Sequence, residues 1–290
     1  MDLSQMKERF NNLSIWKRGE ERAPHKPLLI LLALGELQSR KRRFLPYEEV
    51  RETLKDLLVE FGPVRQSYHS EQPFVRLIND GIWELNIPVE RDEIKDGWLL
   101  KHQVVGGFNE DVYSMLIGND ELIREIAEIV LHNHFPDSIH EDILNSVGLV
   151  FDMGTSRVRD PKFREKILRA YEHSCAVCGF NVRLGNNLIA VEAAHIKWRQ
   201  AGGPDSEENG VALCAMHHKL FDRGAFTITT SNQLMVAEGA HGTNGFEEWL
   251  MRYHGKEIRT PIRPEYYPKD SFVNWHIREV FRGPARYYVG

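Results

Sequence analysis

The chain has 290 residues, 42% of them hydrophobic and 27% charged, with a net charge of −5. Such a balance is that of an ordinary globular protein, and the length predicts two domains rather than one core. The longest apolar run, Leu28 to Leu34, is too short to span a bilayer, and the opening MDLSQMKERF has no basic-then-apolar leader, so a cytoplasmic protein with no membrane partner is expected.

The charge divides unevenly. Residues 1–150 hold 18 Lys and Arg against 26 Asp and Glu, net −8, and residues 151–290 hold 19 against 16, net +3. A DNA partner would therefore have to be held by local patches, since the total charge repels it.

In chain order, residues 27–40 (PLLILLALGELQSR) read as a buried helix with Pro27 in its first turn. Val50, Leu54, Leu57, Leu58 and Phe61 follow helical spacing through 46–61. Phe74–Ile78 and Ile82–Leu85 read as short strands around an Asn79-Asp80-Gly81 turn. A helix is expected from Asn119 to about Asn133, and a shorter one after Asp137. The basic run 40-RKRRF-44 reads as a solvated loop or a phosphate contact, and His132 and His134 as helix-end residues facing the dipole. Periodicity is lost over 148–160, which places a boundary there and domains at 1–150 and 156–290. Asp160-Pro161 then starts a helix carrying Phe163, Ile167 and Tyr171 on one face.

The three cysteines, Cys175, Cys178 and Cys214, all lie in the second half near histidines, and an odd count argues for a metal over a disulfide framework. Cys175-x-x-Cys178 and Cys214-x-x-His217 supply the two short-spaced pairs that tetrahedral Zn2+ prefers. If 211–221 is helical, His218 is turned about 100° from His217 and is left for a second centre. His195, at the end of the apolar segment 188–196, then a polar loop, Asn209, and His218 give the strand–loop–helix order of a ββα-metal nuclease. His241 and His254, without partners at metal spacing, read as surface residues. Residues 240–290 are left open between core packing, DNA contact and a dimer contact.

CAVC, EAAHI, GGPDSEENG, LCAMHH and KLFDRG together resemble HNH endonucleases with a structural zinc. The resemblance implies that His195 is the general base, a role suited to an imidazole of ordinary pKa about 6.5. It implies that His218 holds a catalytic divalent cation, Mg2+ or Mn2+, and that Asn209 either binds that metal or fixes the loop. Relatives carry an acid directly before the base. Here that position is Ala194, so the missing carboxylate is sought among Glu192, Asp205 and Asp222, the last being helically spaced from His218.

In the first half, 22-RAPHKPLLILLAL-34, 68-YHSEQPFVRL-77 and 101-KHQVVGGF-108 combine prolines, positive groups and a Gly106-Gly107 pair that permits close backbone approach. His25 and Lys26 lie between two prolines just before the 27–40 helix, and such an N-terminus attracts anions. These stretches look like the sulfur-binding domain of type IV, McrA-type, phosphorothioation-dependent HNH restriction enzymes. The resemblance implies an α+β, two-domain chain: a mixed α/β sulfur-binding domain followed by the ββα-metal nuclease. It further implies that Pro73 lines a sulfur pocket with Gln72 and Phe74 beside it, that His25 and Lys26 flank the phosphate, and that His102 and Gln103 touch bases or backbone. The expected partner is double-stranded phosphorothioate DNA, met as a homodimer. The alternatives are an HNH nuclease that reads a methylated or hydroxymethylated base, and a non-catalytic zinc-stabilised DNA-binding regulator.

Overall fold

The helices predicted for the N-terminal half all form. The computed structural model describes residues 1–16, 19–151 and 161–287, and the chain divides into two compact units, Met1–Met153 and Gly154–Gly290. The first unit contains α1 (Leu3–Asn11), α2 (His25–Arg40), β1 (Phe44–Pro46), α3 (Tyr47–Phe61), α4 (Glu71–Arg76), β2 (Trp83–Leu85), α5 (Asp96–Lys101), β3 (Val105–Phe108), α6 (Glu110–Leu116), α7 (Asp120–His134) and α8 (His140–Ser146). Helix α1 escapes the sequence reading, although Asp2 and Gln5 form a capping box at its start. Leu28 to Leu34 are all buried, and α2 packs on α3, α4 and α7.

The strand predicted over Phe74–Ile78 is helix instead: α4 runs into a 3-10 turn at Leu77–Asp80. A short apolar run does not by itself separate strand from helix. Here Pro73 sits in the first turn, and Phe74 and Leu77, three apart, are both fully buried. Phe74 joins an aromatic row, 5.1 Å from Tyr47 and 5.9 Å from Trp83, which continues to Phe108.

The small sheet runs β1-β3-β2, all antiparallel. Gly106 and Gly107 belong to its central strand and not to a ligand-facing loop. A Cβ on Gly106 would lie 2.7 Å from the Trp83 indole nitrogen, and one on Gly107 would lie 2.0 Å from the Arg43 carbonyl. The basic run is tied up in ion pairs: Arg42 meets Glu36 and Glu49, and Arg43 meets Glu84 and Glu110. Burial lowers the pKa of His134 to about 4. It is neutral at pH 7, and the charge–dipole account expected for it does not apply. His132 instead faces Asp137 at 3.3 Å.

The second unit contains α9 (Pro161–Ala170), β4 (Val182–Leu184), β5 (Asn187–Ile189), β6 (Val191–His195), β7 (Gly210–Cys214), α10 (Ala215–Asp222), β8 (Phe226–Ile228), β9 (Leu234–Val236), α11 (Phe246–Trp249) and α12 (Asp270–Glu279). Asp160 lies outside the described residues, but α9 begins at Pro161 and buries Phe163, Ile167 and Tyr171 as its spacing predicts. Helix 211–221 is shorter than expected. Residues 210–214 pair with β6 in register His195↔Gly210 to Val191↔Cys214, and the helix starts at Ala215. Pairing with a neighbouring strand overrides the local helical pattern.

The tail past residue 240 packs on this unit's own core. Trp275 and Val273 are fully buried, and His276 stacks on Phe221 at 3.7 Å while its Nδ1 lies 2.9 Å from the Thr227 hydroxyl. His254 is buried, not a surface residue; its Nδ1 accepts the Val236 amide at 3.1 Å. Among the described residues no helix is long and apolar enough to cross a membrane.

Candidate functional site

The Cys175–Cys178 turn and the start of α10 bring one ligand atom from each of Cys175, Cys178, Cys214 and His217 within 4.8 Å of one another. The His217 Nδ1 lies 3.1 Å from the Cys214 sulfur and 3.6 Å from that of Cys175, and the Cys178 and Cys214 sulfurs are 4.0 Å apart. Bonds of about 2.3 Å to sulfur and 2.0–2.1 Å to nitrogen at tetrahedral angles require separations of about 3.6–3.8 Å, so the donors fit Zn2+. Contacts with the other two cysteine sulfurs pull the Cys175 thiol well below its ordinary range. The same sulfur contacts push the Cys214 thiol upward, so the thiolate character, the form a metal binds, sits on Cys175. The His217 Nε2 donates to the Trp249 carbonyl at 2.8 Å, which fixes the tautomer that turns Nδ1 toward the sulfurs.

The adjacent His218 joins a different set. Its Nδ1 is 2.5 Å from Glu192 Oε2 and its Nε2 is 3.0 Å from Asp222 Oδ2. Asp222 also accepts the Trp198 indole N–H at 3.1 Å. His195 meets a third carboxylate: its Nε2 is 2.8 Å from Asp205 Oδ1, and its ring stacks on Phe163 at 4.0 Å. Strand alternation explains the division. His195 lies on the face of β6 that meets Phe163 of α9, while Glu192, on the alternate face with Ala194, meets His218 of α10. Trp198, three residues beyond His195, links that segment to the carboxylate beside His218.

Of the three acids weighed for the missing ligand, Glu192 and Asp222 reach His218, and Asp205 reaches His195. Asn209 is fully buried. Its amide donates to the Lys197 and Pro204 carbonyls at 3.0 and 2.9 Å, and its oxygen accepts the Lys197 amide at 2.8 Å. It clasps the loop that leaves His195. Gly210 has its own steric reason: a Cβ there would lie 2.2 Å from Ile167, beside Phe163.

In the first unit a cavity of about 550 Å³ opens at the start of α2. His25, Lys26, Gln72 and Pro73 line it, together with Ser14, Trp16, Arg22, Arg65, His69 and Arg76. Phe74 is not among its walls, because its ring is in the core behind Pro73. His102 and Gln103 also lie elsewhere: His102 stacks on Trp98 at 3.9 Å, and Gln103 takes a left-handed backbone, φ 49°. Trp16, Arg22 and Arg65 were missed. The signal for Trp16, a tryptophan beside Lys17 and Arg18 in an aperiodic stretch, was present in the sequence.

Lys26 is held by Asp80 at 2.5 Å and by the Ser14 carbonyl at 2.8 Å, so part of its charge is answered inside the protein. Burial, with the nearby charges of His69 and Arg65, lowers the pKa of His25 to about 4. The pocket thus combines a neutral imidazole, several guanidinium groups and the apolar surfaces of Trp16 and Pro73.

Two family models match the chain: "ScoMcrA-like, DNA sulfur-binding domain" over residues 3–152, and "HNH endonuclease" over residues 175–229. Similar solved structures include "Sulfur binding domain of ScoMcrA complexed with phosphorothioated DNA", at 21% identity and TM-score 0.42, covering 49% of this chain and 94% of that one. "Modification dependent TagI restriction endonuclease" is 27% identical at TM-score 0.30, covering 46% and 41% respectively. "Structure of the Type IV phosphorothioation-dependent restriction endonuclease ScoMcrA" is 20% identical at TM-score 0.40, covering 57% of this chain and 34% of that one. No curated protein matches the chain. With the first model spanning half of its residues, the chain belongs to the ScoMcrA-like DNA sulfur-binding domain family, and it carries an HNH endonuclease domain after that match.

Proposed function

We propose that the protein is a restriction endonuclease that binds phosphorothioated double-stranded DNA through the pocket at the start of α2 and hydrolyses the backbone at the β6/β7/α10 site. The observation that carries this reading is the separation of neighbouring imidazoles: His217 lies among three cysteine sulfurs and His218 between two carboxylates. One suits a scaffold metal and the other a catalytic one.

The pocket chemistry suits sulfur. A phosphate oxygen is strongly hydrated, and burying a polar group without donors costs about 2–7 kcal/mol. Sulfur is larger and less hydrated, so the apolar edge of Pro73 tolerates it while Arg22, Arg65 and Arg76 answer the phosphate charge. One apolar contact discriminates by only about 1–3 kcal/mol, so base contacts supply the remaining selectivity.

At the nuclease site, Asp205 accepts the His195 Nε2–H and Phe163 supports the ring face. His195 so held takes the proton from the attacking water. Asn209 keeps the following loop in place. A divalent cation, Mg2+ or Mn2+, supplies charge neutralisation at the scissile phosphate and leaving oxygen when bound. His218 is the residue that would hold it, and the Cys3His cluster would take Zn2+. The protein acts in the cytoplasm, and a homodimer would place one centre on each strand.

The test uses the full-length, zinc-loaded protein with Mn2+ and two plasmids, one carrying phosphorothioates and one without. Cleavage of the modified plasmid alone is expected. His195→Ala should lower cleavage by about 10²–10⁴-fold and leave binding to modified DNA intact. Equal cutting of both plasmids defeats the sulfur reading, and undiminished cutting by the variant defeats the base assignment.

A further inference from the structure

We infer that Glu192 is the carboxylate that completes the catalytic cation site with His218 Nδ1, and that Asp222 is a positioning residue that aims His218 from behind. The inference rests on the nuclease reading above and resolves the absence of an acid at position 194.

The argument begins with protons. A neutral imidazole carries one N–H, and an ionised carboxylate only accepts. Yet both ring nitrogens of His218 face carboxylates, Glu192 at 2.5 Å and Asp222 at 3.0 Å. One contact is satisfied by the ring's own N–H. The other sets a lone pair against an anion, and it needs a cation or a second proton between them.

Burial decides which side is which. The Asp222 side chain is 1% exposed and is already held by the Trp198 indole N–H. It fits the carboxylate that receives Nε2–H, as in the carboxylate–histidine–metal arrangement that orients metal-binding imidazoles. The Glu192 side chain is 36% exposed. The Nδ1 side is therefore the one that a hydrated ion and a DNA phosphate can reach.

The strand then explains position 194. Glu192 and Ala194 are two apart on β6, so they project from the same face, the one beneath α10. A longer side chain one pleat back reaches the place where an acid at 194 would deliver its oxygens. A Mg2+-sized ion with bonds of about 2.1 Å at right angles separates its ligand atoms by about 3 Å. Glu192 supplies that by a shift of about 0.5 Å, which its partial exposure permits.

The experiment measures Mn2+ binding to the zinc-loaded full chain by electron paramagnetic resonance of free Mn2+, beside plasmid cleavage. Glu192→Gln keeps the shape and removes the charge; Mn2+ binding should weaken at least tenfold. Asp222→Asn should weaken it about 10–100-fold, as loss of an orienting partner does. Glu192→Asp, one methylene shorter, should recover part of the affinity lost in Glu192→Gln. All three variants should keep one zinc per chain and wild-type binding to phosphorothioate DNA. Wild-type Mn2+ affinity in Glu192→Gln overturns the proposal, and so does loss of zinc in both Glu192 variants, because Glu192 would then be serving the fold. Glu192-dependent Mn2+ binding in a wild-type protein that cuts no DNA would leave this site standing and sink the nuclease reading instead.

Discussion

Replacing Asn209 by Asp changes one NH2 group to an oxygen, with almost no change in shape. In the native loop that NH2 donates to the Lys197 and Pro204 carbonyls at 3.0 and 2.9 Å, in a side chain that is fully buried. The substitution sets an anionic oxygen against two carbonyl oxygens and removes the donor that each receives from Asn209. Each unsatisfied buried acceptor costs about 1–3 kcal/mol, and the buried charge adds to that. A total of about 3–6 kcal/mol is a large part of the roughly 5–15 kcal/mol that holds a domain together. At about 3–5 °C per kcal/mol for a unit of this size, the thermal midpoint of the C-terminal unit should fall by about 10–30 °C. Differential scanning calorimetry of the zinc-loaded chain reads this, and Asn209→Ala should be no worse than Asn209→Asp. A residue that ligated the catalytic cation would behave in the opposite way, because aspartate is the better ligand. A stable Asn209→Asp protein with tighter Mn2+ binding and intact cleavage would therefore refute the loop role.

Pro73→Ala should lower the preference for phosphorothioate over unmodified DNA by about 1–3 kcal/mol, or about 5–150-fold, in paired binding titrations; an unchanged ratio removes Pro73 from the sulfur contact. Removing zinc with a chelator should abolish cleavage and melt the β6/β7 hairpin, with activity restored by Zn2+ plus Mn2+ but not by Mn2+ alone, because structural zinc contributes about 10–16 kcal/mol to small folds. Chelated protein that still cuts in Mn2+ would refute that. Acid should weaken the N-terminal unit through His25 and His134, both held to about 4 in the fold. The unfolded chain protonates them first, so their stability contribution is complete above about pH 6.5 and is lost as pH falls toward 4. At pH 5 the loss is at most about 2 kcal/mol for each. Hydrogen exchange in α7 should show a smaller loss between pH 7 and 5 in His134→Gln than in wild type, and an identical loss would contradict the burial argument.

The sequence alone determined whatever chemistry and short spacing fix. Cys175-x-x-Cys178 and Cys214-x-x-His217 are ligand pairs in any fold that joins them, and adjacent histidines on a helix cannot face one ion. The apolar periods of α3 and α7 carried their helices because each buries one continuous face, and the unbroken apolar run of α2 carried a helix buried all round. Other features depended on neighbours distant in the chain. Phe74 looked like a strand opening or a pocket wall until Tyr47 and Trp83 enclosed it in the core. Gly106 and Gly107 looked like a ligand approach until β1 and β2 closed on both sides. Three acids were candidates on paper, and helical spacing singled out Asp222 alone; a carboxylate's role depends on which imidazole it meets. Only the pairing of β6 with β7, and the packing of α9 and α10 on opposite faces of β6, gave Asp205 to His195 and left Glu192 and Asp222 to His218. A pleated strand sends successive side chains to different partners, and no single-chain pattern says what those partners are.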